Sequence, residues 1–141
     1  MPGVDPSTVA DRLEITDLCA RYAMHLSRFE VDELIELFLP DGTYTAFGEV
    51  YAMDLFPKLV SSAPRGQLIV NPPVITFDGD EANGEQHYTF TDQKTHEVRL
   101  AWYSDQYRRT ADGWRFANRS TTFLRRGGGY DSGDTHDPVR S

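Results

Sequence analysis

The first third of the chain carries an apolar rhythm of helical period. Ile15, Leu18, Cys19, Tyr22 and Leu26 recur three or four residues apart, with Asp11, Arg12, Glu14 and Arg21 between them, so one stripe faces a core and the remainder faces water. Ahead of it stand two helix-opening signals, Pro6 after Asp5 and the Thr8-x-x-Asp11 version of a capping box. The spacing predicts a helix over residues 8–27. A second run, Val31, Leu34, Ile35 and Phe38, predicts another helix ending at Leu39-Pro40-Asp41-Gly42, where proline cannot continue a helix and Asp-Gly marks a turn.

Beyond this point the period falls to two. Thr43 to Phe47 has the β-branched and aromatic character of a short strand, and Met53 to Val60 reads as a short helix before the Ser61-Ser62-Ala63-Pro64 break. Gln67 to Phe77 and Ala82 to Thr91 are expected as strands joined by Asp78-Gly79-Asp80; Val98 to Arg109 and Trp114 to Leu124 are joined by Ala111-Asp112-Gly113. Helices first and long antiparallel hairpins afterwards predict an α+β layer fold rather than βαβ units. Residues 1–7 form an arm, 8–126 the domain, and 127–141 a polar tail opened by Gly127-Gly128-Gly129. With little to bury, that tail is expected to be mobile or pinned only by a partner.

Composition narrows the partners. A chain of 141 residues suits one domain. With 22 acidic against 14 basic residues the formal charge is −8, which repels a phosphate backbone and argues against nucleic acid. The single cysteine, Cys19, lies within the helical stripe, which excludes an internal disulfide and reads as a small buried hydrophobe in a reducing compartment. Met1 to Thr8 shows neither a basic nor an apolar leader, and no stretch approaches the ~20 apolar residues of a membrane span; a cytoplasmic protein with no membrane partner is expected. His and Cys pairs at ligand spacing are absent, and the glycine run precedes no helix, so neither a metal site nor a cofactor is expected.

Four local strings occur in order: Ile15-x-Asp17-Leu18-x-x-Arg21-Tyr22-Ala23; Leu34-x-x-Leu37-Phe38-x-Pro40-Asp41-Gly42; Asn71-x-x-Val74-Ile75-x-x-Asp78-Gly79-Asp80-x-Ala82; and Tyr103-x-Asp105 ahead of Asp112-Gly113-Trp114-Arg115-Phe116. Over residues 9–125 this arrangement resembles the cone-shaped fold of nuclear transport factor 2, and within it the SnoaL-like and scytalone dehydratase-like group. The resemblance implies N-terminal helices packed on a curved antiparallel sheet around one pocket. That fold hosts dehydratases, isomerases, cyclases, dioxygenase small subunits and proteins without chemistry. Its dehydratases are expected to use an Asp–His pair as general base. In this chain Ser27 and Gln67 stand at those positions, and neither side chain exchanges a proton at neutral pH.

The resemblance keeps Tyr22, Tyr44 and Tyr103 where such pockets place groups that hydrogen-bond a substrate oxygen. Strand alternation puts Gln86, Tyr88 and Phe90 on one face, extending toward Asp92, and leaves His87 on the other. Asp92 is thus one candidate base, though Thr91-Asp92-Gln93-Lys94 also reads as a hairpin turn. His25, three residues after Tyr22, is the other; His96 and His136 read as surface. Ser27, Gln67, Asn71 and Tyr88 complete the expected pocket wall. On the next strand Ala101, Tyr103 and Asp105 share one face, and Val98, Leu100 and Trp102 the other; covering the second face calls for a homo-oligomer, a dimer ahead of a trimer. Two functions stay open. One is a cofactor-free lyase or isomerase, dehydratase- or cyclase-like, acting on an apolar ring-containing carbonyl or hydroxyl compound. The other is a pocket that binds a small apolar molecule without turnover. A dioxygenase small-subunit role shares the fold.

Overall fold

The computed structural model describes residues 3–140; Met1 and Pro2 of the arm and Ser141 of the tail lie outside the described residues. Asp5 accepts a hydrogen bond from the Ser7 amide at 2.9 Å and opens a single 3-10 turn, Pro6–Thr8, which leads into helix α1, Val9–Arg28. Ile15, Leu18, Cys19 and Tyr22 are buried as the stripe requires, and Leu26 is partly buried. The helix stops at Phe29, whose φ of 59° lies in the left-handed region that a side chain disfavours. Two contacts hold it there. The Glu30 amide donates to the His25 carbonyl at 2.8 Å, and the Arg65 guanidinium lies 4.2 Å from the Phe29 ring centre.

The second helix, α2, is shorter than its spacing predicts, Val31–Ile35. Phe38 to Gly42 belong instead to strand β1, Phe38–Ala46. The Phe116 amide donates to the Leu37 carbonyl at 2.9 Å, and the ladder shifts register between Phe38 and Thr43, so Pro40 sits in an irregular stretch where its missing N–H costs no ladder bond. A strand not anticipated, β2 (Glu49–Ala52), pairs back on β1 through Phe47-Gly48, both at positive φ. This is hairpin-turn geometry, concealed because a phenylalanine occupies a position usually held by Asn or Gly. Helix α3, Phe56–Ser62, follows.

The expected strand Gln67 to Phe77 is two strands, β3 (Gly66–Val70) and β4 (Val74–Asp78). Pro72 and Pro73 lack the amides a continuous strand needs. Both pieces pair antiparallel with β5 (Glu81–Asp92), β4 along its first half and β3 along its second. Strands β6 (Val98–Thr110), β7 (Gly113–Leu124) and the two-residue β8 (Tyr130–Asp131) complete the sheet. Its order is β2-β1-β7-β6-β5-β3, with β4 also beside β5 and β8 beside β7. The pairing of β1 with β7 is parallel, so the curved sheet is mixed rather than antiparallel throughout. A parallel neighbour needs a long crossover, and the rest of the sheet supplies it.

Helix α1 packs against β3 and β7, and the core lies between helix and sheet. The tail, expected to be mobile or pinned only by a partner, is docked on its own chain. The Ser132 carbonyl accepts from the Phe47 amide at 2.7 Å, and Arg140 donates to the Val50 carbonyl at 2.6 Å while lying over the Tyr51 ring. Val139 packs against the core, and the Tyr51 hydroxyl donates to Asp137, so side-chain contacts add to the backbone bond in holding the tail. No helix among the described residues is long and apolar enough to cross a membrane.

Gly84 faces inward on β5, and a Cβ built there would stand 2.7 Å from the Tyr107 hydroxyl oxygen. Gly84→Ala is therefore expected to lower stability by about 1–3 kcal/mol through overpacking, measurable as a lower urea midpoint at unchanged m-value.

Candidate ligand cavity

Between the helices and the sheet lies a cavity of about 760 Å³, within the range of small-molecule sites. Four phenols from four elements reach its wall: Tyr22 from α1, Tyr44 from β1, Tyr88 from β5 and Tyr103 from β6, with Thr121 of β7 among them. Sheet register brings the last three together. Tyr103 lies opposite Thr121 across the β6–β7 ladder, and Tyr88 pairs beside it with Ala101. The Tyr88 and Tyr103 rings stack with centres 4.2 Å apart, and Tyr22 meets Tyr103 edge-on at 5.7 Å. Tyr88 and Thr121 share a hydrogen bond of 2.5 Å. Burial pushes all four phenols above their ordinary range. At neutral pH they are neutral hydrogen-bond donors. Phe56, Leu59, Leu68 and Phe90 make the surrounding surface apolar.

Behind the phenols is a charged group that hydrophobic patterning does not reveal. Arg119 on β7 is fully buried and pairs with buried Asp105 through two hydrogen bonds, Nε at 2.8 Å and Nη2 at 2.9 Å. Nη2 also donates to Gln86 Oε1 at 2.8 Å, and the Tyr107 hydroxyl donates to Asp105 at 2.8 Å. Its guanidinium carbon lies 3.7 Å from the Tyr103 ring centre and 4.3 Å from that of Tyr22. Burial pulls the Arg119 pKa down, but the Asp105 carboxylate outweighs it and the guanidinium is held well above its ordinary range. Arg119 is a permanent cation under two phenol rings. Among the described residues its Nη1 is the buried polar side-chain atom without a hydrogen-bond partner.

A β-bulge explains why alternation hides this position. Trp114 and Phe116 face inward, and strict alternation would continue with Asn118 and Ser120, leaving Arg119 outside. The β6–β7 register shifts between Gln106 and Tyr107, opposite Ala117, after which Arg119 and Thr121 are the buried residues. Asp105, which shares a face with Tyr103 in the sequence pattern, is the legible half of the pair.

Of the site residues expected from sequence, Tyr22, Tyr44, Tyr88 and Tyr103 converge and five do not. Asp92 lies outside the cavity, its Oδ1 accepting from the Lys94 and Thr95 amides at 2.8 and 3.1 Å. Those bonds hold its carboxyl below the usual range, the opposite of what a buried base requires. Turn chemistry prevailed over pocket placement. His25 is turned to Glu30, 3.2 Å away, because the helix end carries its ring off the Tyr22 face. Ser27 ties α1 to β3 by accepting from the Leu68 amide at 2.9 Å. Gln67 is exposed, since Gly66 and Leu68 take the inward positions of β3. Asn71 is exposed in the link between β3 and β4, and its carbonyl accepts from Gln86 Nε2 at 2.6 Å. The imidazole that borders the cavity is His136, which is exposed, as its reading as a surface residue expects. Its Nδ1 is 2.7 Å from the Asp134 carbonyl oxygen; a carbonyl only accepts, so in the neutral ring the proton sits on Nδ1 and Nε2 is the basic atom. No group of three or more His, Cys, Asp or Glu side chains among the described residues is arranged to hold a metal ion.

The SnoaL-like domain family matches residues 7–120, most of the chain. The protein belongs to the SnoaL-like domain family. An uncharacterized protein of Mycobacterium tuberculosis is 28% identical to this SnoaL-like chain over 130 residues, covering 81% of it and 86% of the relative. Among solved structures, a function-unknown protein of the same organism superposes with a TM-score of 0.78 at 21% identity, over 88% of this chain and 79% of that one. A candidate scytalone dehydratase of Novosphingobium aromaticivorans gives 0.75 at 17% identity, over 94% and 93%. Of two other neighbours, one is described as a protein of unknown function with a cystatin-like fold and one as NTF2-like with a cystatin-like fold. At these identities the superpositions establish the fold, and the SnoaL-like chemistry has to be sought in this chain's own residues.

Arg119→Met would leave the Asp105 carboxylate buried and short of its ion-pair donor, with an expected loss of about 3–5 kcal/mol in urea unfolding. Adding Asp105→Leu should recover part of that loss, because the stranded charge is then gone. Cys19, whose thiol burial pushes up to about 11, is expected to resist a thiol reagent at pH 8 in the native protein and to react on unfolding.

Proposed function

We propose that this SnoaL-like protein binds a small, largely apolar, ring-containing molecule bearing a carbonyl or hydroxyl oxygen, and promotes a cofactor-free lyase or isomerase step on it. The observation that carries this reading is the convergence of Tyr22, Tyr44, Tyr88 and Tyr103 on one apolar cavity, with Arg119 under the Tyr22 and Tyr103 rings. Neutral phenols aimed at one region donate hydrogen bonds to an oxygen as it gains negative charge, and a cation behind the rings favours that charge. Proton removal at the neighbouring carbon falls to Nε2 of His136, since Asp92 and His25 do not reach the cavity. The candidate dehydratase among the fold neighbours agrees with this class of step without specifying it.

A second reading, binding without turnover, is favoured by a specific observation. The one carboxylate on the cavity wall, Asp134, belongs to the docked tail and is tied to Arg125 at 2.9 Å, and neither Ser27 nor Gln67 supplies a proton-transfer group. The two readings separate on a panel of polycyclic ketones and alcohols. Turnover that is abolished in His136→Ala supports the enzyme; thermal stabilisation without product supports binding alone. In either case Tyr103→Phe is expected to weaken a ketone about 5–10-fold and to leave the parent hydrocarbon unchanged, as loss of one hydrogen bond requires. Equal weakening of both would exclude Tyr103 as a donor to the ligand oxygen.

Assembly as a homodimer belongs to the same proposal. Val98 and Leu100 of β6 are more than half exposed and border the cavity at the sheet surface. Tyr130 of β8 already covers part of Trp102, with ring centres 4.9 Å apart. The uncovered remainder is the surface a second subunit would take. Light scattering at micromolar concentration should give twice the chain mass, and Leu100→Glu should return it to the monomer value.

A further inference from the structure

The cavity has two chemically different ends. The inner end is phenolic, whereas Arg65, Arg99, Arg125 and Arg126 border the cavity from three separate segments: the α3–β3 link, the start of β6 and the chain after β7. Arg125 is committed to Asp131 and Asp134 at 2.9 Å each. Arg65, Arg99 and Arg126 are exposed and form no salt bridge with another described residue. The acidic groups nearby form no salt bridge with them. Asp134 is held by Arg125. Asp92, whose Oδ1 accepts backbone amides, and Glu97 share a neighbouring recess with Arg99 and Arg126, and the Arg99 charge helps those amides hold the Asp92 carboxyl low. Arg65 and Arg99 are steadied by aromatic rings, Phe29 at 4.2 Å and Phe90 at 6.0 Å. Both are therefore oriented beside the opening.

In a chain of formal charge −8 with 14 basic residues, three arginines without a salt bridge gather on the border of one cavity. An arginine fork matches the planar, two-oxygen edge of a carboxylate, or the oxygens of a phosphate. We infer that the ligand is amphiphilic: an apolar ring body seated among the phenols, with a terminal anionic oxygen group, carboxylate or phosphate, held at the mouth by Arg65, Arg99 and Arg126. This deepens the functional reading above and rests on it, because the ring body must occupy the same cavity. The protein's overall negative field repels small anions at a distance, so recognition of the anionic end depends on the short-range arginine contacts.

The test uses matched fluorescent probes with one ring system, 1-pyrenebutanol, 1-pyrenebutyrate and 1-pyrenebutyl phosphate, titrated into the full chain at low and at 0.5 M salt. At low salt at least one of the two anions is expected to bind about tenfold more tightly than the alcohol, as a charge-assisted hydrogen bond warrants. The preference should shrink at high salt as screening predicts. The preferred anion distinguishes the carboxylate from the phosphate source. In an Arg65→Gln/Arg99→Gln/Arg126→Gln variant that retains the parent's circular dichroism and melting temperature, the anion preference should fall below about twofold. Equal affinity for all three probes, or an anion preference that survives in the triple variant, overturns this inference and leaves the cavity reading intact. Failure of all three to bind, together with no thermal stabilisation by smaller ring ketones, overturns the cavity reading as well.

Discussion

The ion pair between Arg119 and Asp105 is the constraint around which the sheet is arranged. A guanidinium with no exposed surface survives only where its desolvation is offset by a carboxylate of good geometry and further acceptors. Asp105 opposes it directly across the β6–β7 ladder, Gln86 reaches it from β5, and the Tyr107 hydroxyl donates to the same carboxylate. Three strands therefore have to be in register for the pair to exist at all. Gln86 also donates to the Asn71 carbonyl, which extends the same network into the proline-broken link between β3 and β4. One polar cluster thereby fixes the relative positions of most of the cavity wall.

The network also sets the electrostatics of the phenols. Tyr22 and Tyr103 lie over a cation that cannot lose its charge, while apolar burial keeps both rings neutral. A donor of this kind does not ionise itself at neutral pH, yet it responds when an adjacent oxygen gains charge. The arrangement suits an oxygen whose charge rises during a reaction, and equally an oxygen that is merely bound. The distinction rests on proton transfer and not on the phenols.

Much of the fold was legible because hydrophobic period and turn chemistry agreed with each other. The stripe on α1 and the two Asp-Gly hairpins gave elements close to those observed, and inward alternation on β5 and β6 correctly put Tyr88 and Tyr103 inside. The failures share one physical form, a local departure from regular geometry. Phe47 in a left-handed turn concealed β2, the register shift in β1 made a strand look like a helix end, and the bulge near Ala117 hid Arg119. Asp92, His25, Ser27, Gln67 and Asn71 were misplaced because their orientation depends on caps, turns and strand links that composition does not encode. His136 is exposed as expected, but its place beside the cavity was not legible, because it follows from the docking of the tail by Arg140, Asp137, Val139 and backbone bonds to Phe47.

The bulge has a wider consequence. One additional residue rotates the strand's pattern by half a period, so Trp114 and Phe116 present hydrocarbon to the core while, a few residues later, the same strand sets a cation behind the phenols and a hydroxyl on the cavity wall. Packing and chemistry thus occupy different stretches of a single strand, separated by a small backbone irregularity. Substitutions on the cavity side of that irregularity can diversify what the pocket accepts while the aromatic foundation beneath it stays as it is.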